Sequence, residues 1–386
     1  MLENLKKLFI RDSDTENITQ NVELVKTRDG FIINGSGLYK SDVVISCIRP
    51  KASAIGKATA KHIRLNKDGS MDKNPLNHIA KLLTRPNPIM SNQMLLEKLT
   101  WQLMLNNNAF AVIIRDDYGK PRSIYPADPQ AVQLLKTDTG ELYLNLKVFN
   151  GDYTFPYSDV IHLRRDYNRN YFFGDSIKPT LENLVGLIDT TDAGLVKTIK
   201  NSNDIRWLIT YPTQIKPEDV RKNAKFFESN YLSGDSQVIA TDATANVSQV
   251  KSESYVPDNS ITRNTINRIY GLFNINEKII QNTYNHEEWY SFYTAEIKPI
   301  LDQLSNEYTE KIFTQKERNF GNKIVFDIED MVLSFMADNL TKFYDRGIMS
   351  IDEIRGYYHL PPLPDGLGKD HRVRKETIRL GEENTD

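Results

Sequence analysis

Cysteine, long apolar runs and a signal-peptide core are missing, or nearly so, from this sequence. Cys47 is the only cysteine, so an intrachain disulfide is impossible and a reducing compartment is indicated. No apolar run approaches the length that spans a bilayer, and the first residues, MLENLKKLFI, lack a signal-peptide core and a cleavage site. We therefore expect no membrane segment and no membrane partner.

An excess of charge of either sign is also missing. Lysine and arginine total 49 and aspartate and glutamate total 51, which gives a net charge of −2. Proteins that grip nucleic acid through its phosphates usually carry a basic excess or stripe. The balance argues against tight DNA binding. It fits a channel through which DNA slides, and it fits a protein that never meets nucleic acid equally well.

Catalytic motifs are scarce. Ser176 and Ser236 each follow a Gly-Asp pair but lack the Gly-x-Ser-x-Gly turn that presents a nucleophile. His286 precedes two glutamates without a second histidine at metal-binding spacing, and no glycine-rich phosphate loop is present. The acidic pair Glu329–Asp330 is typical of surface charge. The other histidines are dispersed: His62, His78, His162, His359 and His371. We predict no enzyme activity, no catalytic residue, no metal and no cofactor.

The first half of the chain carries alternating helix and strand signals. With 386 residues, 39% of them hydrophobic and 26% charged, the chain has the composition of an ordinary folded protein that could hold two or three substructures. Helices are predicted after Ser41, with Pro50 inside the pattern, and after Ser91. Ala109–Ile114 forms an apolar run typical of a buried strand, and Gln130–Arg165 predicts antiparallel strands. The first half is therefore predicted to be α+β.

The second half is dominated by helical patterns. An apolar stripe predicts a helix over Lys178–Asn203, and a second helix is predicted over Ile261–Phe273. Between them, Asp204–Pro257 has the signals of a small α/β insert, with strands at Trp207–Thr210, Ser236–Ala240 and Ala245–Val250 around a helix from Pro217.

The remainder of the second half alternates polar and helical stretches. The polar stretch Asn274–His286 predicts a loop, and Trp289–Phe313 the longest helix, which Pro299 should kink. A strand is expected at Lys323–Ile328 and a helix at Asp338–Arg346. Ser350 and Glu353 have the spacing of a capping box, which begins one more helix.

Four motifs in order resemble a known family. Thr84–Pro129 carries Arg-Pro-Asn-Pro, a helix, an Asn-Ala-Phe strand, a turn and Tyr-Pro-Ala-Asp-Pro. Phe172–Ser176, Asn267–Ile280 and Met349–Pro362 follow in the expected order. Together they resemble the portal proteins of tailed double-stranded-DNA phages. The third motif departs from the family, because Asn274 and Asn276 stand where glycine and proline are usual.

The resemblance implies a portal-type fold with an α+β wing, a helical stem, a small α/β clip and a helical C-terminal crown, assembled as a ring. Carried onto this sequence, the expected regions are a flexible N-terminus (1–27), wing (28–177), stem helix 1 (178–203), clip (204–257), stem helix 2 (258–273), tunnel loop (274–288), wing helix and strand (289–336), crown (337–368) and flexible tail (369–386).

The resemblance also implies a function. The ring, typically a dodecamer, would form the channel at one capsid vertex for DNA packaging and ejection, in the virion after assembly in the host cytoplasm. Expected partners are the terminase large subunit, the head-tail adaptor, the major capsid and scaffolding proteins, and double-stranded DNA in the channel. The tunnel-loop residues expected to contact that DNA are Lys278, Gln281, Asn282 and Asn285.

Two alternatives remain open from the sequence. One is a metal-dependent DNA-processing enzyme, a nuclease that would use Glu329, Asp330 and His286. The other is a different ring-forming head-tail structural protein such as an adaptor, although adaptors are usually much shorter than this chain.

Overall fold

Helices and antiparallel strands alternate along the computed structural model. It describes residues 22–24, 31–32, 37–67, 71–137, 140–148, 151–168, 171–202, 206–210, 216–229, 246–250, 259–328, 340, 342–357 and 362–371. The strands are β1 (Val22–Leu24), β2 (Phe31–Ile32), β3 (Thr59–Leu65), β4 (Met71–Lys73), β5 (Asn108–Arg115), β6 (Pro121–Ala127), β7 (Ala131–Thr137), β8 (Leu142–Val148), β9 (Gly151–Pro156), β10 (Val160–Arg164), β11 (Arg206–Thr210), β12 (Asn246–Val250) and β13 (Asn322–Asp327).

The helices occupy most of the remaining described chain. They are α1 (Asp42–Gly56), α2 (Asn77–Thr84), α3 (Asn92–Asn106), α4 (Lys178–Ser202), α5 (Pro217–Phe227), α6 (Asn259–Leu272), α7 (Glu277–Gln281), α8 (His286–Phe292), α9 (Lys298–Ile312), α10 (Gln315–Asn319) and α11 (Ile351–Tyr357). A π-helical turn, Tyr293–Ile297, joins α8 to α9. The chain divides into two compact units, one of Met1–Glu182 with Arg268–Asp386 and one of Asn183–Asn267.

The described strands of the larger unit form three antiparallel sheets. β10, β5 and β6 form one, β13, β3 and β4 a second, and β1, β7, β8 and β9 a third to which β2 also pairs. Helix α1 packs on α3, α3 packs on β5, and α9 packs on β13 and β10. Strand β5 is buried over its first six residues, as its unbroken apolar sequence predicts. The predicted α+β class is confirmed.

Local signals set the ends of α3. The Ser91 hydroxyl accepts the Met94 N–H at 3.4 Å, and Asn107 ends the helix in the left-handed region with φ 54°. Asparagine tolerates this conformation better than other residues with a Cβ, because its short side chain forms local hydrogen bonds. The capping box predicted at the start of α11 is confirmed, since Ser350 N–H donates to Glu353 at 2.8 Å and Glu353 N–H donates to Ser350 at 3.3 Å.

The smaller unit contains most of α4, the hairpin of β11 and β12, helix α5 and the first part of α6. Leu184, Val185 and Ile188 are buried on one face of α4, whereas Val196 and Ile199 are 51% and 55% exposed. The strands predicted at Trp207–Thr210 and Ala245–Val250 are confirmed within a residue. The helix predicted over Pro217–Tyr231 begins at Pro217 and is α-helical to Phe227, and the end of the predicted range lies outside the described residues. The strand predicted at Ser236–Ala240 lies outside the described residues.

Two features of the larger unit were not foreseen in the sequence. Val22–Leu24, which lie within the N-terminal part predicted to be flexible, form β1 and pair with β7. The long helix, predicted to kink at Pro299, is interrupted just before that residue. It changes to a π turn over Tyr293–Ile297, which lies just before that proline. A π turn shifts the hydrogen-bonding register and so accommodates the missing proline N–H.

The Phe172–Ser176 motif is held by a buried asparagine. Asn108 Nδ2 donates to the carbonyl oxygens of Asn106 (3.1 Å) and Gly174 (3.0 Å), and Asn108 Oδ1 accepts the Gly174 N–H (2.9 Å). His162 Nε2 donates to the same oxygen at 3.1 Å. A Cβ atom on Gly174 would overlap the carbonyl oxygens of Arg165 and Asn107. The motif therefore requires glycine because two backbone segments approach it closely.

We expect Gly174→Ala to lower the free energy of unfolding by about 3 kcal/mol, because the new methyl group would have to displace two backbone carbonyls. Gly271→Ala is the matched control, since a Cβ there meets nothing within 4 Å. It should change stability by less than about 1 kcal/mol. Chemical denaturation of both variants tests this. Equal stability of the two variants would contradict the close approach at Gly174.

Candidate functional site

The polar stretch Asn274–His286, predicted to be a loop, contains a short helix, so that prediction is wrong at Glu277–Gln281. The Asn276 side chain accepts the Ile279 N–H at 2.9 Å and begins α7. Ile275 and Ile279 are 7% and 1% exposed, so they anchor the segment in the core. The signal was present in the sequence: an asparagine cap followed by an apolar pair spaced four residues apart.

The four residues expected to contact DNA lie together on this segment, and the side chains are exposed. Lys278 forms an ion pair with Glu288, and Gln281 Nε2 donates to Glu277 at 2.8 Å. Asn282 ends α7 in the left-handed region with φ 57°. Asn285 caps α8 in a capping box with Glu288. Each residue therefore also has a partner or a capping role within the segment.

Electrostatics around the segment favour its folded form. The pKa of Glu288 is lowered by its hydrogen bond from Lys278 and by the backbone N–H of Asn285. Tyr284 packs on Trp289 with ring centroids 4.7 Å apart, and Trp289 in turn contacts Phe292. The capping box and the aromatic contact fix where α8 begins.

A buried ion pair lies directly behind the segment. The Lys51 ammonium, fully buried on α1, donates to the Phe273 carbonyl oxygen and to the Glu296 carboxylate on the π turn. Arg165 approaches the same carboxylate at 3.3 Å, and Asn274 Nδ2 donates to its other oxygen at 2.7 Å. Burial and the Arg165 charge lower the pKa of Lys51 to about 8, against the opposing effect of Glu296. The cluster fixes the start of the segment against α1.

Two cations that the sequence did not single out lie beside the segment. Arg49 of α1 and Lys57, which directly follows α1, line a recess of about 320 Å³ together with Asn282, Tyr284 and Trp289. Both basic side chains are exposed. No pattern in the sequence links them to the segment, because the contact of α1 with it depends on the fold.

Catalytic chemistry finds little support in the part of the chain that is described. Within that part, no group of three or more histidine, cysteine or acidic side chains is placed to hold a metal ion. His286 begins α8 on the surface, whereas Glu329 and Asp330 lie outside the described residues. None of the described helices combines the length and the apolar character needed to cross a membrane.

Solved structures with a similar fold include the neck of gene transfer agent particles and a phage portal protein. The neck of an empty gene transfer agent (GTA) particle matches with a TM-score of 0.66 at 16% identity, over 85% of this chain and 92% of that chain. The virion of the native particle matches with a TM-score of 0.63 over the same shares. An HK97 family phage portal protein from Corynebacterium diphtheriae gives a TM-score of 0.51 at 11% identity, over 79% of this chain and 98% of that one.

Sequence comparison gives the family directly. A probable portal protein of Streptomyces phage phiC31 is 24% identical over 123 residues, which are 29% of this chain and 27% of that protein. The aligned part thus spans about a quarter of that relative. The model of the phage portal protein family matches residues 42–358, which is most of the chain, and the family predicted from the four motifs is confirmed. The chain belongs to the phage portal protein family.

Proposed function

We propose that this chain is the subunit of a ring-shaped channel at one capsid vertex, through which double-stranded DNA is packaged and ejected. The ring would be a dodecamer in the virion, assembled in the host cytoplasm within the major capsid and scaffolding proteins. It would provide the docking site for the terminase large subunit and later for the head-tail adaptor. The observation that carries the proposal is the family match over residues 42–358.

The regional assignment is part of this proposal. We assign the wing to 28–177 and 289–336, the stem to 178–203 and 258–273, the clip to 204–257 and the crown to 337–368. The separate compact unit Asn183–Asn267 supports a distinct stem and clip, because the strands β11 and β12 and helix α5 lie between its two helices.

Exposed apolar side chains on α4 support assembly. Val196 and Ile199 lie three residues apart, so they share a helix face, and each is about half exposed. Neighbouring subunits would cover this face through heterologous contacts that close into a ring.

We expect the variant Val196→Gln with Ile199→Gln to dissociate at higher protein concentration than the wild type. Each side chain would lose about 1 kcal/mol of apolar burial per interface, which corresponds to roughly thirtyfold weaker association for the pair. Mass photometry over a dilution series measures this. The control, Lys197→Gln with Lys200→Gln, alters exposed polar positions on the same helix. A wild type that stays monomeric at micromolar concentration would contradict the ring.

The segment 274–288 is our proposed contact with DNA in the channel. Lys278, Gln281, Asn282 and Asn285 are exposed polar groups that can meet phosphates without a strong net attraction. Lys278 is partly neutralised by Glu288, and one exposed charge per subunit is screened beyond about 10 Å by salt. Weak contacts of this kind suit DNA that must move.

We expect a benzophenone maleimide on Gln281→Cys to cross-link DNA in filled particles. Cys47 should not react, because it is fully buried and burial raises the pKa of its thiol to about 12. The control position is Lys316→Cys, which is exposed on α10 outside the proposed channel segment. DNA adducts should form at position 281 alone, and a protein that cross-links only at position 316 would show that the channel face is placed wrongly.

The mechanism we propose is passive: the terminase motor hydrolyses ATP, and this chain provides the docking site for that motor and the channel for DNA. The purified protein should therefore neither hydrolyse ATP nor cut DNA, because the sequence has no phosphate loop and no nucleophile turn. Incubation with ATP, and with plasmid DNA and Mg²⁺ or Mn²⁺, tests this. Cleavage that disappears in Glu329→Ala with Asp330→Ala would favour the nuclease alternative instead.

A further inference from the structure

The most family-like motif of the sequence, Thr84–Pro129, builds an open groove that the proposed function does not use. Helix α2 forms one wall, and the segment Arg85–Pro88 with the start of β6 forms the rest. Ile124 N–H donates to the Pro86 carbonyl at 2.8 Å, and Asn87 Nδ2 donates to the Ile124 carbonyl at 2.8 Å. The segment Arg85–Pro88, called the proline segment below, is thereby hydrogen-bonded to β6 beside that strand.

Asn87 makes the groove rigid. Its side chain is buried, and its Oδ1 atom also accepts the backbone N–H groups of Ile89 (2.9 Å) and Met90 (2.8 Å). All these partners are backbone groups of the groove itself or of the turn that follows it. Because this segment is already held in one conformation, binding a partner would cost little conformational entropy.

The groove carries a positive charge, whereas the chain as a whole has a small negative net charge. Its lining includes four cationic side chains, Lys81, Arg85, Lys120 and Arg122, and also the His78 imidazole. The single lining carboxylate, Asp116, accepts the N–H groups of Tyr118 (3.0 Å) and Lys120 (2.8 Å) within the β5–β6 turn. Among the described residues, no carboxylate forms an ion pair with Lys81, Lys120 or Arg122. A local basic surplus therefore stands on a chain whose net charge is −2.

The groove also has apolar lining. Leu82, Pro86, Pro88, Pro121 and Tyr125 line it together with the basic side chains, and the groove has a volume of about 1340 Å³. That volume exceeds the roughly 300–1,000 Å³ of small-molecule pockets. The sugar-phosphate backbone of DNA offers charge but only the small C–H surface of its sugars to contact such a lining. A peptide supplies both when apolar residues alternate with carboxylates.

We propose that this groove binds an acidic, partly apolar peptide segment of a partner protein. Its carboxylates would pair with Lys81, Lys120 and Arg122, while its apolar side chains contact the prolines and Tyr125. The inference does not rest on DNA passage or on ring closure, since every residue of the groove lies within Asn77–Tyr125 of one chain.

The test uses the full-length protein and a fluorescein-labelled synthetic peptide that alternates glutamate with leucine. Fluorescence anisotropy should show saturable binding that weakens when salt is raised from about 0.05 M to about 0.5 M. The variant Lys81→Glu with Arg122→Glu should bind at least about tenfold more weakly, because two attractive charges become repulsive. The milder variant Lys81→Gln with Arg122→Gln should show an intermediate loss and guards against misfolding.

The matched control is Lys67→Glu with Lys316→Glu, which changes the net charge equally at exposed positions outside the groove. It should bind the peptide within about twofold of the wild type, since it leaves every charge that lines the groove in place. Three results would each overturn the proposal: no binding by the wild type, equal loss in the control, or equal binding of a peptide with lysine in place of glutamate. Duplex DNA that displaces the peptide and binds more tightly would make the groove a nucleic-acid surface instead.

Discussion

The buried ammonium of Lys51 is the constraint on which much of the larger unit depends. A charge removed from water must be matched by partners, because an uncompensated buried ion costs several kcal/mol. Here the partners come from distant parts of the chain: the carbonyl at the end of α6, the Glu296 carboxylate on the π turn and, through that carboxylate, Arg165 after β10. Satisfying one lysine therefore fixes α1, the Phe273 carbonyl and the π turn relative to one another.

Buried asparagine side chains connect strands and loops by hydrogen bonds, as the Lys51 ammonium connects helical segments. Asn108 joins β5 to β10 and to the Phe172–Ser176 motif, and Asn87 attaches the proline segment to β6. An amide offers donors and an acceptor without charge, so it satisfies buried backbone groups at a smaller desolvation cost. His162 belongs to this network, and burial among aromatic rings lowers its pKa well below the usual value, so it stays neutral.

Positive charge is distributed unevenly over this protein, although the totals of both signs nearly cancel. The proposed DNA contact carries a lysine that is already paired with Glu288, whereas the groove of Lys81, Lys120 and Arg122 carries basic groups without such pairs among the described residues. A conduit needs weak and screened contact with phosphates, and a docking groove needs attraction that persists. The net charge of the chain alone would have indicated neither the segment 274–288 nor the basic groove.

The sequence alone determined those helices and strands whose ends or faces are set by residues a few positions apart. Ser91, Asn107 and the Ser350–Glu353 box set helix ends, and apolar runs set β5 and α4, because caps and periodicity involve residues only a few positions apart. The ordered motifs also determined the family. Only the tertiary structure showed the pairing of Lys51 with a glutamate 245 residues away and the groove between α2 and β6. These features depend on burial and on the meeting of distant segments, which no local pattern encodes.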